Sequence, residues 1–160
     1  MAGPTIRTAR RTDVALLSAA LRALSVDLGD RHAASDADIA AAGFGARPVF
    51  RAQIAVSAGQ PVGAAVYSPI YSTTRARPGV YVSDLWVAAA ARGGGLGAKL
   101  LAAVRDDARA RWGAGFVRLV VYADNPRALG FYTRLGFALR SDEAGMLLEG
   151  AALERLGGSR

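Results

Sequence analysis

The chain has 160 residues, of which 52% are hydrophobic and 21% are charged. A chain of this length can bury one sizeable core, and this composition is typical of a globular protein rather than a disordered one. It contains no cysteine, which excludes disulfides, zinc–thiolate sites and a cysteine nucleophile. The single histidine, His32, offers no histidine-based metal site and is predicted to be a solvated loop residue. We therefore expect no metal, and catalysis would depend on tyrosine, acidic, serine or backbone groups.

The formal net charge is +7, and nearly all of the positive charge comes from arginines, with Lys99 as the sole lysine. A basic protein attracts anionic ligands. Because the arginines are scattered rather than clustered, nucleic acid is not an expected partner. No apolar run reaches the ~18 residues of a membrane-spanning helix, and the N-terminal segment lacks the apolar core of a signal peptide. These features predict a cytoplasmic protein with no membrane partner.

The first elements are a strand and an amphipathic helix. Residues Ile6–Thr8 predict the strand, and Thr12 or Asp13 can cap the helix that follows. The apolar residues of that helix recur every three to four positions, which places them on one face. They are Val14, Leu17, Leu21 and Leu24.

A second helix and a hairpin follow. Ser35 and Asp38 have the spacing of a capping box, and the helix they open ends near Gly43. The β-branched segments Val49–Ser57 and Val62–Ile70 are separated by a Gly-containing turn, which predicts an antiparallel hairpin.

The second half of the chain begins with a strong strand, Val80–Val87, followed by a glycine-rich segment and a helix. Residues on one face of that helix are Leu96, Leu100, Leu101, Val104 and Ala108. The apolar run Phe116–Tyr122 predicts a buried strand. Asn125 and Pro126 open another helix, which runs to Leu135 and is stopped by Gly136.

Two short strands, around Phe137–Leu139 and Met146–Leu148, are predicted to complete the fold. The element order β-α-α-β-β-β-α-β-α-β-β describes a mixed α/β domain whose first half is mostly antiparallel. We expect a single domain over residues 1–156 and a frayed tail over residues 157–160.

The glycine-rich segment from Arg92 to Gly97 lies between a strand and a helix. Backbone N–H groups at a helix start, together with the helix dipole, favour an anion there, and glycine lets a phosphate approach closely. A plain flexible turn is the alternative. The hydroxyl and spacing of a P-loop are missing, and the loop follows the fourth strand rather than the first strand of a βαβ unit, so both nucleotide motifs are excluded.

Two motifs carry a family resemblance. The run R-x-x-G-x-G, preceded by YVSDLWV, resembles the pyrophosphate loop of GNAT acetyltransferases, and NPRALGFYTRLGF resembles their second signature, N-x-x-A-x-x-F-Y-x-x-x-G-F. The resemblance implies the GNAT fold: a mixed, mostly antiparallel sheet of six to seven strands with about four helices, in which strands 4 and 5 splay apart. DIAAAGFGARP, YVSDLWV and S-D-E-A-G-M are similar to the diamine acetyltransferase subgroup (spermidine/spermine or thialysine type), which implies a homodimer.

The resemblance implies transfer of an acetyl group from acetyl-CoA to a primary amine of a small molecule, by direct attack in a ternary complex. A diamine, a polyamine or a lysine analogue is the implied acceptor. A peptide or protein amine, an amino sugar and a non-catalytic acyl-CoA-binding module are the alternatives.

The resemblance also assigns residues to acetyl-CoA. The diphosphate would bind the backbone of Arg92, Gly93, Gly94, Gly95, Leu96, Gly97 and Ala98. The pantetheine arm would lie along Leu85, Trp86 and Val87, and beside Asn125 and Ala128. The backbone N–H near Val87 would polarise the acetyl carbonyl. Tyr132 would be the general acid for the leaving thiolate, or, alternatively, only a packing residue of its helix.

Asp84 is the leading candidate for the base, because it lies in the middle of an apolar strand, where an acid is costly unless it is partnered. A structural ion pair or a dimer contact is the alternative. The similar diamine enzymes carry Glu-Asp where this chain has Ser83 and Asp84, so the identity of the base and the recognition of a polyamine stay open. The residues expected to bind the amine are Asp27, Ser83, Asp84 and Glu143, and the acids Asp30 and Asp36 are also available.

Overall fold

The computed structural model describes residues 3–158. The chain divides into two compact units, one ending at Val120 and the other beginning at Val121. The single domain over residues 1–156 stays a prediction. So does the frayed tail from residue 157, of which residues 159–160 lie outside the described part of the chain.

The first unit is built on a five-stranded sheet. Its strands lie in sequence order: β1 (Thr5–Thr8), β2 (Arg51–Ser57), β3 (Gln60–Ser72), β4 (Arg77–Val87) and β5 (Val117–Leu119). The first four strands pair antiparallel, and β4 pairs with β5 in parallel. The mixed α/β class is therefore confirmed, although residues 3–158 form five strands rather than six to seven.

The described residues form five α-helices instead of about four: α1 (Val14–Leu28), α2 (Asp36–Phe44), α3 (Leu96–Trp112), α4 (Pro126–Arg134) and α5 (Gly150–Glu154). The capping box of α2 is confirmed, since the side chain of Ser35 accepts from the N–H of Asp38. The fifth helix is a short element that the sequence pattern did not predict. None of the helices within residues 3–158 has the length and apolarity needed to cross a membrane.

The sheet is covered on both faces. On one face, Leu17 and Ala20 of α1 and Ile39 of α2 pack with a cluster that includes Ile54 and Trp86. On the other face, Leu96 and Leu100 of α3 pack with Ala55, Leu85 and Val87. Alternate residues of β4 therefore face different helices, as the two-residue period of a strand requires. The predicted apolar faces of α1 and α3 are confirmed.

Strand β4 carries two irregularities close together. Val66 of β3 lies opposite Asp84, whereas Tyr67 lies opposite Val82, so Ser83 is an extra residue that forms a β-bulge. The parallel pairing with β5 ends where Val82 meets Leu119. In the described chain, β4 then continues to Val87 without a β5 partner, which is the divergence predicted for strands 4 and 5.

Three predicted extended segments are wrong in extent or existence. The fifth strand spans Val117–Leu119 rather than Phe116–Tyr122, because it has a neighbour on one side only and Val120 is already 73% exposed. The segments around Phe137–Leu139 and Met146–Leu148 are not strands, and Met146 is 98% exposed. Runs of three residues supply too few ladder hydrogen bonds to form a sheet by themselves.

A buried polar network ties β2 and β3 to α3. The hydroxyl of Tyr67 donates to Asp107 at 2.6 Å and accepts from the amide of Gln53 at 2.9 Å. The guanidinium of Arg51 donates to both oxygens of the same aspartate, at 2.7 and 2.8 Å. Arg51 also holds the pKa of Asp107 below its ordinary value. The network lies away from the glycine loop and is a structural feature.

We expect Tyr67→Phe to lower the free energy of unfolding by about 1–2 kcal/mol, because the amide of Gln53 and the carboxylate of Asp107 each lose a buried partner. Tyr71→Phe is the matched control, because Tyr71 is 66% exposed on the same strand and should change stability very little. Urea unfolding measures both variants. Equal stability of the two would contradict a stabilising role for this network.

Candidate functional site

The glycine loop connects β4 to α3 through a short 3-10 turn, Ala89–Ala91. Gly93 and Gly95 have φ values of 84° and 76°, the left-handed region in which glycine carries no steric penalty. Gly95 is the N-cap of α3, and no acidic residue lies in the first turn of that helix. The first N–H groups of a helix have no intrahelical acceptor. This loop therefore presents backbone N–H donors with no acidic side chain in the first turn of α3, which suits an anionic ligand.

The side chains flanking the loop are used for packing. Leu85, Val87 and Leu96 belong to the apolar cluster on the α3 face of the sheet. Gly97 is buried at the start of α3. Only the backbone of these residues is left for a polar ligand, and the backbone role predicted for them stays a prediction.

The side chain of Arg92 connects the glycine loop to helix α1. Its Nε donates to the carbonyl of Val87 at 2.9 Å, and its Nη2 donates to Asp27 at 2.6 Å. The carboxylate of Asp27, near the end of α1, also accepts from Trp86 Nε1 at 3.2 Å. Three predicted site residues, Asp27, Trp86 and Arg92, are thus brought together, and the charge of Arg92 is partly balanced by Asp27.

Asp84 lies beside the bulge. The hydroxyl of Ser83 donates to its Oδ2 at 2.7 Å, and the same hydroxyl approaches the carbonyl of Val66 at 3.3 Å. Burial raises the pKa of Asp84 above its ordinary value, although the Ser83 hydrogen bond opposes this. A carboxylate with a raised pKa is a stronger proton acceptor. The carboxylate of Asp84, beside the bulge in the middle of β4, is therefore a stronger proton acceptor than an ordinary aspartate.

His32, in the loop between α1 and α2, is a residue that the sequence reasoning missed. Its Nδ1 lies 3.2 Å from the hydroxyl of Ser25, and its Nε2 is buried with no hydrogen-bond partner within residues 3–158. The prediction of a solvated side chain is therefore wrong for this atom. His32 also interacts electrostatically with Asp84. A lone histidine in a polar loop carries no local signal that could have revealed this.

The second unit holds the remaining motif. Asn125 caps α4, as predicted, with Oδ1 accepting from the N–H of Ala128 at 3.1 Å. Tyr132 packs edge-on against Phe131 and Phe137, with ring centroids 5.0 and 5.4 Å away. Burial raises the pKa of Tyr132 to about 12. The phenol is therefore fully protonated near neutral pH and can act as a donor.

The other candidate acids are engaged at the surface. Asp36, at the start of α2, pairs with Arg22. Glu143, in the second unit, lies 3.4 Å from Arg140. Within residues 3–158 no group of three or more histidine, aspartate or glutamate residues has the arrangement of a metal site.

Comparisons with known proteins identify the family of this chain. The model of the acetyltransferase (GNAT) family matches residues 18–137. The chain belongs to the GNAT family. It is 32% identical to a thialysine N-epsilon-acetyltransferase of Sus scrofa, over 99% of each chain. The solved structure of an integron cassette protein from the mobile metagenome of V. cholerae matches with a TM-score of 0.80 at 23% identity, over 99% of this chain and 100% of that one.

A further solved structure has a similar fold. The aminoglycoside N-acetyltransferase AAC(6')-Iy, in complex with CoA, matches with a TM-score of 0.73 at 18% identity, over 92% of this chain and 95% of that chain. At this identity the match supports the fold alone. The family match and the similarity to the thialysine N-epsilon-acetyltransferase establish this GNAT protein as an N-acetyltransferase.

Proposed function

We propose that this enzyme transfers the acetyl group of acetyl-CoA to a primary amine of a small molecule, by direct attack in a ternary complex. The observation that carries the proposal is the glycine loop at the start of α3, reached from the part of β4 that has no β5 partner. The similarity to a thialysine acetyltransferase supports a small amine as acceptor.

The loop and the end of β4 would bind the cosubstrate. The N–H groups between Gly93 and Ala98 suit a diphosphate, because they are unopposed by any acid in the first turn of α3. The part of β4 from Leu85 to Val87 has no β5 partner within residues 3–158, and its backbone is proposed to pair with the amides of a pantetheine arm, although the Val87 carbonyl already accepts from Arg92 Nε. An N–H near Val87 would polarise the acetyl carbonyl. Trp86, Asn125 and Ala128 are proposed to line the same arm.

Asp84 is proposed as the base. It would take the proton of the acceptor ammonium, directly or through a water, and so release the neutral amine that attacks the thioester carbonyl. Burial raises its pKa, which favours this role, and the Ser83 hydroxyl fixes one of its oxygens. Asp27 and Glu143 are proposed to attract the cationic acceptor, together with Ser83 and Asp84.

Tyr132 is proposed as the acid. A phenol with a pKa of about 12 is a weaker acid than an ordinary thiol, whose pKa is about 8.5. Full proton transfer to a free thiolate would therefore be unfavourable. A hydrogen bond from the phenol to the sulfur, which strengthens as the C–S bond breaks and charge develops, would still lower the barrier.

A panel assay that follows release of free CoA tests the proposal. The panel contains diamines, polyamines, thialysine and lysine analogues, aminoglycosides and short peptides. We expect release with one or more small primary amines. Release with peptides alone would support a peptide acetyltransferase, and tight acetyl-CoA binding without release on any amine would support a non-catalytic binding module. The proposed homodimer and cytoplasmic location follow from the subgroup resemblance and the sequence, and light scattering tests the former.

We expect Asp84→Asn to lower kcat/KM for the amine about 10-fold or more at neutral pH, because asparagine keeps the shape of the side chain but cannot accept the proton. The dissociation constant for acetyl-CoA should stay unchanged. Asp106→Asn is the control, since this exposed acid on α3 pairs with the surface residue Arg105. Equal kcat/KM of the two variants would remove Asp84 from the base role.

A further inference from the structure

We propose that His32 is a second proton acceptor for the acceptor amine, working beside Asp84 on the α1 face of the sheet. This role rests on the proposed function. The ring is held in place from one side only: Nδ1 lies 3.2 Å from Ser25 Oγ, whereas Nε2 is buried without a partner within residues 3–158. A buried ring nitrogen without a partner is costly unless a ligand or water uses it.

The hydrogen bonds assign the tautomer. The hydroxyl of Ser25 has one proton, and it is donated to the carbonyl of Leu21, one helical turn earlier, at 3.1 Å. Ser25 Oγ therefore accepts from Nδ1–H, and the lone pair of the neutral ring lies on Nε2. His32 thus offers a buried basic nitrogen rather than a donor.

Two acidic residues interact with the ring of His32. Asp84 on β4 and Asp36 at the start of α2 both interact electrostatically with His32, and the charge of Arg22 is taken up by its pair with Asp36. In the proposed step the N–H bond of the acceptor ammonium breaks, the proton moves to Nε2 directly or through a water, and the free amine attacks the thioester. The imidazolium then returns the proton to solvent.

The tautomer can be measured without a mutation, because His32 is the only histidine of the chain. Nitrogen-15 NMR of the labelled protein at a pH where the ring is neutral should give the shifts of a protonated Nδ1 and an unprotonated Nε2. The reverse pattern would overturn the proposal, since Nε2 would then be a donor.

The functional test uses His32→Asn, whose amide N–H can replace Nδ1–H at Ser25 while the basic nitrogen is removed. Two acceptors are compared: α-blocked lysine, with an ε-amine pKa of about 10.4, and glycinamide, whose α-amine has a pKa of about 8. We expect kcat/KM with the ε-amine to fall about tenfold at pH 7. This loss of kcat/KM should become smaller as the pH rises, because more of the ε-amine is already neutral at higher pH. At pH 7 the loss should be smaller with the α-amine, because its lower pKa leaves a larger neutral fraction.

A structural role would give a different pattern. The same loss with both amines at every pH, or no loss at all, would overturn the proton-accepting role. His32→Gln serves as a second variant if His32→Asn fails to fold, and the NMR measurement does not depend on either. If the wild-type enzyme releases no CoA with any amine, the proposed function fails and this role fails with it. If the wild-type enzyme is active and His32→Asn has the same kcat/KM, only the role of His32 is overturned.

Discussion

Replacing Tyr132 with phenylalanine is expected to lower kcat about 100-fold or more while leaving the dissociation constant for acetyl-CoA within about twofold of wild type. The substitution removes one hydroxyl and keeps the edge-on contacts of the ring with Phe131 and Phe137. Burial raises the pKa of Tyr132 to about 12, so the hydroxyl of the wild-type residue is protonated throughout the neutral range. A role as donor therefore predicts a loss in turnover and none in binding.

The control for this variant is Tyr122→Phe, at an exposed tyrosine of the same unit. Initial rates of CoA release and calorimetric titration with acetyl-CoA measure the two constants. A Tyr132→Phe enzyme with wild-type kcat would remove the acid role. A large loss of acetyl-CoA affinity would instead indicate that Tyr132 acts mainly in packing.

Gly95→Asp is expected to weaken acetyl-CoA binding about 100-fold, equivalent to about 2.7 kcal/mol. Gly95 is the N-cap of α3 with a φ of 76°, and an added Cβ would meet no atom within 4 Å. Aspartate is one of the few residues that tolerate this conformation, so the protein should fold. Its carboxylate would then occupy the position where the diphosphate is proposed to bind, and repel it.

Two control variants separate charge from backbone strain. Gly95→Asn introduces a similar side chain without the charge and should weaken acetyl-CoA binding about tenfold at most. Gly59→Asp introduces the same residue at a similar φ of 74°, in the turn between β2 and β3, and should leave binding unchanged. If Gly95→Asp binds acetyl-CoA as tightly as Gly59→Asp, the diphosphate does not lie at this helix start.

Local signals in the sequence predicted the elements that present the site. The capping box at Ser35 and the cap at Asn125 depend on residues three positions apart, and both are as predicted. The fold class and the apolar faces of α1 and α3 likewise follow from hydrophobic periodicity. The glycine loop could be located because its chemistry is contained in a few consecutive residues.

Features that depend on distant partners could not be predicted. Arg92 and Asp27 are 65 positions apart, and neither residue type signals the other. The bulge at Ser83 depends on how β4 pairs with β3, and the anchoring of His32 depends on where α1 ends. The short strands predicted near the C-terminus failed because apolar alternation over three residues does not specify a partner strand.

The central claim is that the backbone amides from Gly93 to Ala98 bind the diphosphate of acetyl-CoA. A crystal structure of the protein grown with acetyl-CoA tests it most directly. We expect the diphosphate oxygens within hydrogen-bonding distance of these amides, with the pantetheine arm along the unpaired end of β4. A structure in which acetyl-CoA binds elsewhere, or in which this loop holds no cosubstrate at saturating concentration, would contradict the account.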